Sequence, residues 1–254
     1  MPQSILQRVW PDMTADCPEP EHCALAALRA EIDAVDDELL RLFQKRLAIA
    51  AQVGHAKDAP HGPHTKLRPD REQRVMTRML SAAEPDNLEP VRGLWREIVG
   101  WGLARQGQLQ VQVWAPTDPT RAFDGARRRF GMAAAIRMVR DPQAALKFAA
   151  EGQGVSVLAV NTDDPWWLGL RREWSSLSVF EGFGGEVPTA LGVGKIDPAA
   201  LPDGRRVMVT AGGDAGDGGG ARRWGLNTHH GWTLALTDAA ASPGEAEGCV
   251  GAIG

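Results

Sequence analysis

The chain has 254 residues, 43% of them hydrophobic and 24% charged, with a formal net charge of -4. That length suits two domains rather than one, and the charge leaves no broad basic field of the kind that recruits nucleic acid. The three cysteines, Cys17, Cys23 and Cys249, have neither metal-ligand nor redox spacing. With no signal-peptide core and no run near the roughly 20 apolar residues of a membrane span, the expectation is a cytoplasmic protein of a reducing compartment that does not enter a membrane.

Residues 1–22 are polar and carry prolines, and are expected to form a poorly ordered tail. From Ala24 to Lys57 the pattern is helical, with Leu25, Leu28, Ile32, Val35, Leu39, Leu42 and Phe43 recurring at three- and four-residue steps. A helix of that length, roughly 50 Å, cannot bury its apolar face alone; a second copy of the chain is the natural cover. The stretch 58–69, rich in proline, reads as a loop. A short helix is predicted over about 70–83, with Pro69 in its first turn, then a turn at 84–87 and a third helix over about 88–106. Gly100 and Gly102 weaken that helix by roughly 1 kcal/mol each and mark either close packing or room for a ligand.

After Gly107 the period changes. Residues 108–116 alternate as a strand, 117–131 read as a helix, 134–139 as a strand, 141–153 as a helix and 154–160 as a strand, a β-α-β-α-β order that predicts an α/β layer with some parallel strands. Beyond Trp166, the runs SLSVF, ALGVGKI, RRVMVT and GWTLALT are further strand candidates. Trp166 and Trp167 read as core anchors. The run GGDAGDGGG lacks the Lys-Ser/Thr of a phosphate loop and reads as a flexible connection. His55, His61, His64, His229 and His230 have no acidic or cysteine partners at ligand spacing, so no metal site is expected.

Within the helical region, Arg46 and Lys57 lie eleven residues apart, within roughly 20° of one helix face, with the small residues Ala50 and Val53 between them. Arg29 sits roughly 25 Å up the same helix and could reach a shared ligand only from an antiparallel partner chain. Gln106 closes the third helix, and Arg71 and Glu72 open the middle one. Taken singly, each charge has an ordinary reading: a solvated arginine, or a first-turn glutamate favoured by the helix dipole.

The stretch LRAEIDAVDDELLRLFQKRLAIAAQVGHAK, the entry KLRPDREQRV and the closing LWREIVGWGLARQ together resemble, in order and separation, the three helices of the all-α (AroQ-type) chorismate mutases. The resemblance implies a three-helix domain over residues 23–107 that forms an intertwined dimer. It implies rearrangement of chorismate to prephenate, in phenylalanine and tyrosine biosynthesis, without a cofactor or metal. It further implies that Arg46 and the partner chain's Arg29 grip the carboxylates, with Arg71 assisting. Lys57 and Gln106 would donate to the ether oxygen, and Glu72 would accept from the ring hydroxyl. Two departures stand out: Arg68 occupies a place that is acidic in some members, and Gly100 or Gly102 replaces a serine.

The region 109–254 is expected to be an α/β domain that faintly resembles a degenerate opening lobe of prephenate dehydratase. Its loop reads Ala115-Pro116-Thr117-Asp118-Pro119-Thr120 where that enzyme has Gly-Pro-x-Gly-Thr-Phe, and the Thr-Arg-Phe motif is absent. A bifunctional mutase/dehydratase and a non-catalytic metabolite sensor or enzyme-docking protein are the two rival readings.

Overall fold

The computed structural model describes residues 20–56, 66–211, 222–238 and 248–254, with the backbone alone for residues 20–23 and Ala56. The expected tail thus lies almost wholly outside the described residues, as do the glycine run, His61 and His64. The chain divides into two compact units, Met1–Arg46 and Leu47–Gly254.

Helix α1 runs Pro20–Ala56; its residues up to Arg46 are the described part of the first unit and its last turns belong to the second. Past its first residue the helix contains no proline and no glycine until Gly54, so nothing interrupts its hydrogen-bond ladder. Leu25, Leu28, Ile32, Val35, Leu39, Leu42, Ile49 and Val53 alternate three- and four-residue steps along it, and each is 41–59% exposed. Arg46 takes the seam position between Leu42 and Ile49. A 3,4 repeat of this kind is the pattern of a coiled-coil seam.

In the second unit, α2 spans Pro69–Ala82, with Pro69 in its first turn. A short 3-10 turn, Pro85–Asn87, leads into α3, Leu88–Gln106. Gly107 stops α3 with φ 148° and donates its N–H to Leu103 O, a conformation that an L side chain resists. These bounds agree with the sequence expectation to within a residue.

The rest is one nine-stranded sheet. Its first strands are β1 (Gln110–Trp114), β2 (Ala135–Met138), β3 (Val155–Ala159), β4 (Ser178–Phe183) and β5 (Ala190–Gly194). The others are β6 (Arg205–Ala211), β7 (Arg223–His229), β8 (Trp232–Thr237) and β9 (Cys249–Ile253). The spatial order is β2-β1-β3-β5-β4-β9-β6-β8-β7. Strand β1 pairs parallel with both β2 and β3, as the alternating pattern predicted. Helices α4 (Pro119–Phe130) and α5 (Pro142–Ala150) make the crossovers. Asp118 and Asp141 cap them, accepting from Arg121 N and from Gln143 N and Ala144 N.

Two cores result. Val111, Val113, Val155 and Val157 join Ala122, Ala126 and Phe130 of α4 in one. Trp114 and Leu158 join Leu146 of α5, Trp166 and Trp167 in the other. The alternation of β1 and β3 between the two clusters is what a sheet buried on both faces requires. Trp166 is 1% exposed and donates its indole N–H to Ala159 O at 2.8 Å, the anchoring role expected of it. Strands β7 and β9 were not among the candidates. The first is an Arg-, Gly- and Asn-containing edge strand, and the second is a five-residue strand with Gly251 at its centre.

Helix α3 lies against α4. A β-carbon on Gly100 would stand 2.6 Å from the carbonyl oxygen of Phe130, which selects close packing for this glycine. Gly100→Ala is therefore expected to destabilise the protein by about 1–3 kcal/mol. Gly93→Ala on the same helix, where nothing lies within 4 Å of the added carbon, is expected to stabilise it by about 0.5–1 kcal/mol. Denaturant titration of the two variants should give opposite signs.

Candidate functional site

In the first unit, Arg29 is exposed on α1 and Arg46 is half-buried; burial lowers the Arg46 pKa from its ordinary value. Lys57 lies outside the described residues.

In the second unit, the ends of α1 and α3 touch. A β-carbon on Gly54 would come 2.8 Å from the Cα of Gln106, so the glycine expected in the closing Val-Gly of the first helix is there because a backbone passes. Gln106 is half-buried; its side-chain amide donates to Gly102 O at 3.3 Å, and its own carbonyl accepts from Lys66 Nζ at 2.6 Å.

The start of α2 carries the densest charge network. Asp70 is buried and accepts from Arg68 at 3.1 Å and from Arg74 at 2.8 Å. Arg68, the departure noted in the sequence, thus closes a bidentate fork on the helix's own first-turn carboxylate. Burial pushes the Asp70 pKa up, but the donors from Arg68, the Arg71 backbone and Arg74 outweigh it and hold the carboxyl below its ordinary value. Arg71 itself is exposed.

Glu72 turns the other way. Its Oε2 accepts from Arg129 Nη1 of α4 at 2.8 Å, and Arg129 also donates through Nε to Glu181 of β4. Side-chain exposure is 14% for Glu72, 16% for Arg129 and 24% for Glu181. Burial alone would lower the Arg129 pKa, but its attraction to the two carboxylates more than compensates and holds it well above the ordinary arginine value. The second carboxylate oxygen, Glu72 Oε1, is buried and has no hydrogen-bond partner among the described residues. A buried acceptor of this kind is costly unless a donor arrives.

Glu72 lines a cavity of about 250 Å³ with Met76, Leu80, Arg96 and Val99. A larger cavity of about 640 Å³ lies beside α4 and the end of β4, and Arg96, Arg129 and Glu181 border both. Burial first, and then the neighbouring Arg129 charge, lower the Arg96 pKa. Of the six site residues expected from sequence, the smaller cavity includes Glu72 and none of Arg71, Gln106 or Arg46 among its lining. Sequence reasoning missed Arg129 and Glu181. Arg129 is the last of three consecutive arginines in the final turn of α4, and the run by itself does not say which of them turns inward.

Residues 28–107 match the family described as chorismate mutase type II. The similarity to that family extends over about a third of the chain. The chain is also 32% identical over 126 residues to the "Bifunctional chorismate mutase/prephenate dehydratase" of Pseudomonas aeruginosa, a match covering 48% of this chain and 33% of that protein. The chain therefore spans about a third of that relative's length, and the aligned stretch is longer than the mutase domain, so part of it lies in flanking sequence. No solved structure matches the chain. No helix among the described residues is long and apolar enough to cross a membrane. Among those residues no group of three or more His, Cys, Asp or Glu stands together as a metal cluster would.

The Asp70 network gives a test of this corner of the mutase domain. A folded-state pKa below the unfolded value of about 3.8 contributes stability above that value, lost as pH falls through the folded pKa. Asp70→Asn should cost roughly 1–2 kcal/mol near pH 7. The gap to wild type should close once the pH is below about 3–4, as read by urea denaturation across pH.

Proposed function

We propose that the protein catalyses the rearrangement of chorismate to prephenate as a homodimer in the cytoplasm. The observation that carries this reading is the type II mutase match over residues 28–107; the resemblance of the three helices assigns Arg29, Arg46, Lys57, Arg71, Glu72 and Gln106 to the site.

The reaction is unimolecular and needs no nucleophile, metal or proton transfer. The catalyst must hold the folded diaxial conformer of a dianion and stabilise negative charge growing on the ether oxygen as its bond to carbon breaks. Guanidinium forks bind carboxylates bidentately, the work assigned to Arg46 and the partner chain's Arg29, with Arg71 close by. Lys57 and Gln106 supply donors to the ether oxygen. Glu72 accepts from the ring hydroxyl, and its unpartnered Oε1 supports that role.

The dimer is supported by the exposed 3,4 seam of α1, eight apolar residues over roughly 42 Å of helix. A seam of that size left in water is unfavourable, and an antiparallel second copy covers it. The same arrangement brings Arg29 of one chain toward Arg46 of the other.

A second activity, dehydration of prephenate, is favoured by the name of the Pseudomonas aeruginosa relative. The missing Gly-Thr-Phe of the loop after β1 and the absent Thr-Arg-Phe weigh against it. Incubation with prephenate should leave it unconverted to phenylpyruvate; turnover would establish the bifunctional reading instead.

The mutase reading is tested by loss of chorismate absorbance on addition of the wild-type protein. Lys57→Ala should lower kcat by about 100- to 1,000-fold, and Arg46→Lys should also be severely impaired. Arg29→Ala and Lys57→Ala, each nearly inactive alone, should regain about a quarter of wild-type activity when co-refolded, because mixed dimers hold one intact shared site. No recovery would place Arg29 in its own chain's site or outside the chemistry.

A further inference from the structure

The mutase match ends at residue 107, yet the cation bound to Glu72 comes from α4, beyond it. We propose that Arg129 is a positioning residue of the mutase site: it clamps one oxygen of Glu72 so that the other is held ready for the substrate's hydroxyl, which makes the α/β region part of the mutase machinery. The inference rests on the mutase reading above.

Three observations carry it. Arg129 Nη1 lies 2.8 Å from Glu72 Oε2, so this oxygen is occupied. Glu72 Oε1 is shut off from solvent and unpartnered among the described residues, so its acceptor capacity is unfilled, and the Glu72 side chain lines the cavity of about 250 Å³. Glu181 of β4 takes the Nε edge of the same guanidinium. Two edges of one planar group are thereby fixed by two carboxylates, and the group cannot rotate without breaking one of them. A glutamate with rotatable side-chain torsions is a poor fixed acceptor by itself; a half-buried, doubly anchored arginine removes that freedom before substrate arrives.

The wider surroundings fit the same role. Helix α4 is held against α3 by the close approach of Gly100 to the Phe130 carbonyl, one residue beyond Arg129. The guanidinium of Arg129 also lies 5.2 Å from the centre of the Phe130 ring, a further restraint on its position. Arg129 and Glu181 border both the small cavity beside Glu72 and the larger one beside α4.

The test is a double-mutant cycle on chorismate turnover with Glu72→Gln, Arg129→Ala and the double variant in the full chain. Arg129→Ala should lower kcat/KM by about 10- to 100-fold, with most of the loss in KM because the hydroxyl contact is made in the bound ground state as well. In the Glu72→Gln background the same change should cost less than about twofold further, since its effect travels through Glu72. A merely structural arginine would give losses that multiply. Should Arg129→Ala fail to fold, Arg129→Lys carries the cycle. It keeps the charge without the fork, is expected to be intermediate in kcat/KM, and should likewise lose its effect once Glu72 is changed. Wild-type kcat/KM in the arginine variants, or multiplying losses in the cycle, overturns the inference while leaving the mutase reading intact. A wild type that does not consume chorismate takes both down together.

Discussion

A guanidinium withdrawn from water has to be answered by negative charge, and in this protein the answer joins three elements. Arg129 of α4 sits between Glu72 of α2 and Glu181 of β4. Deleting one partner of such a group strands the others, at a cost on the order of 3–5 kcal/mol when fully buried. The pairing helps hold α2 on the α/β layer, together with the Gln73–Asp203 hydrogen bonds. It also sets a glutamate of the matched segment against a residue outside that segment.

That pairing gives the second half of the chain a physical link to α2. The sheet has parallel strands at one side, where both faces of β1 and β3 are covered, and two helices seated by capped N-termini. It meets the α2–α3 pair through Phe130 against Gly100, Arg129 on Glu72, and the two hydrogen bonds between the Gln73 amide and the Asp203 backbone. Helix α1 states the opposite condition, an apolar seam left exposed along most of its length. In the proposed dimer the two requirements are complementary, a partner helix covering the seam and the α/β layer fixing the glutamate.

Much of this was legible in the residues. The 3.6-residue period set α1, α2 and α3 to within a few residues because each has one apolar face and clear stop signals, Pro69 at one start and Gly107 at one end. The parallel strands β1, β2 and β3 followed from strands alternating with helices. Strand β7 was obscured because an edge strand buries little and keeps polar residues, and β9 because Gly251 sits at its centre, where a β-carbon would meet Val179 O at 2.0 Å. The glycine that serves that contact weakens the strand signal.

The sequence by itself determined the three helices of the segment that matches the chorismate mutase type II family and the 3,4 apolar repeat along α1, because helical period and motif spacing are local properties. Only the tertiary structure decided that Gly100 is a packing glycine, that Arg68 forks onto Asp70, and that Arg129, out of three adjacent arginines, holds Glu72. Those outcomes depend on which surfaces meet across long sequence separations, and a charged residue carries no local mark of the partner that burial will force upon it.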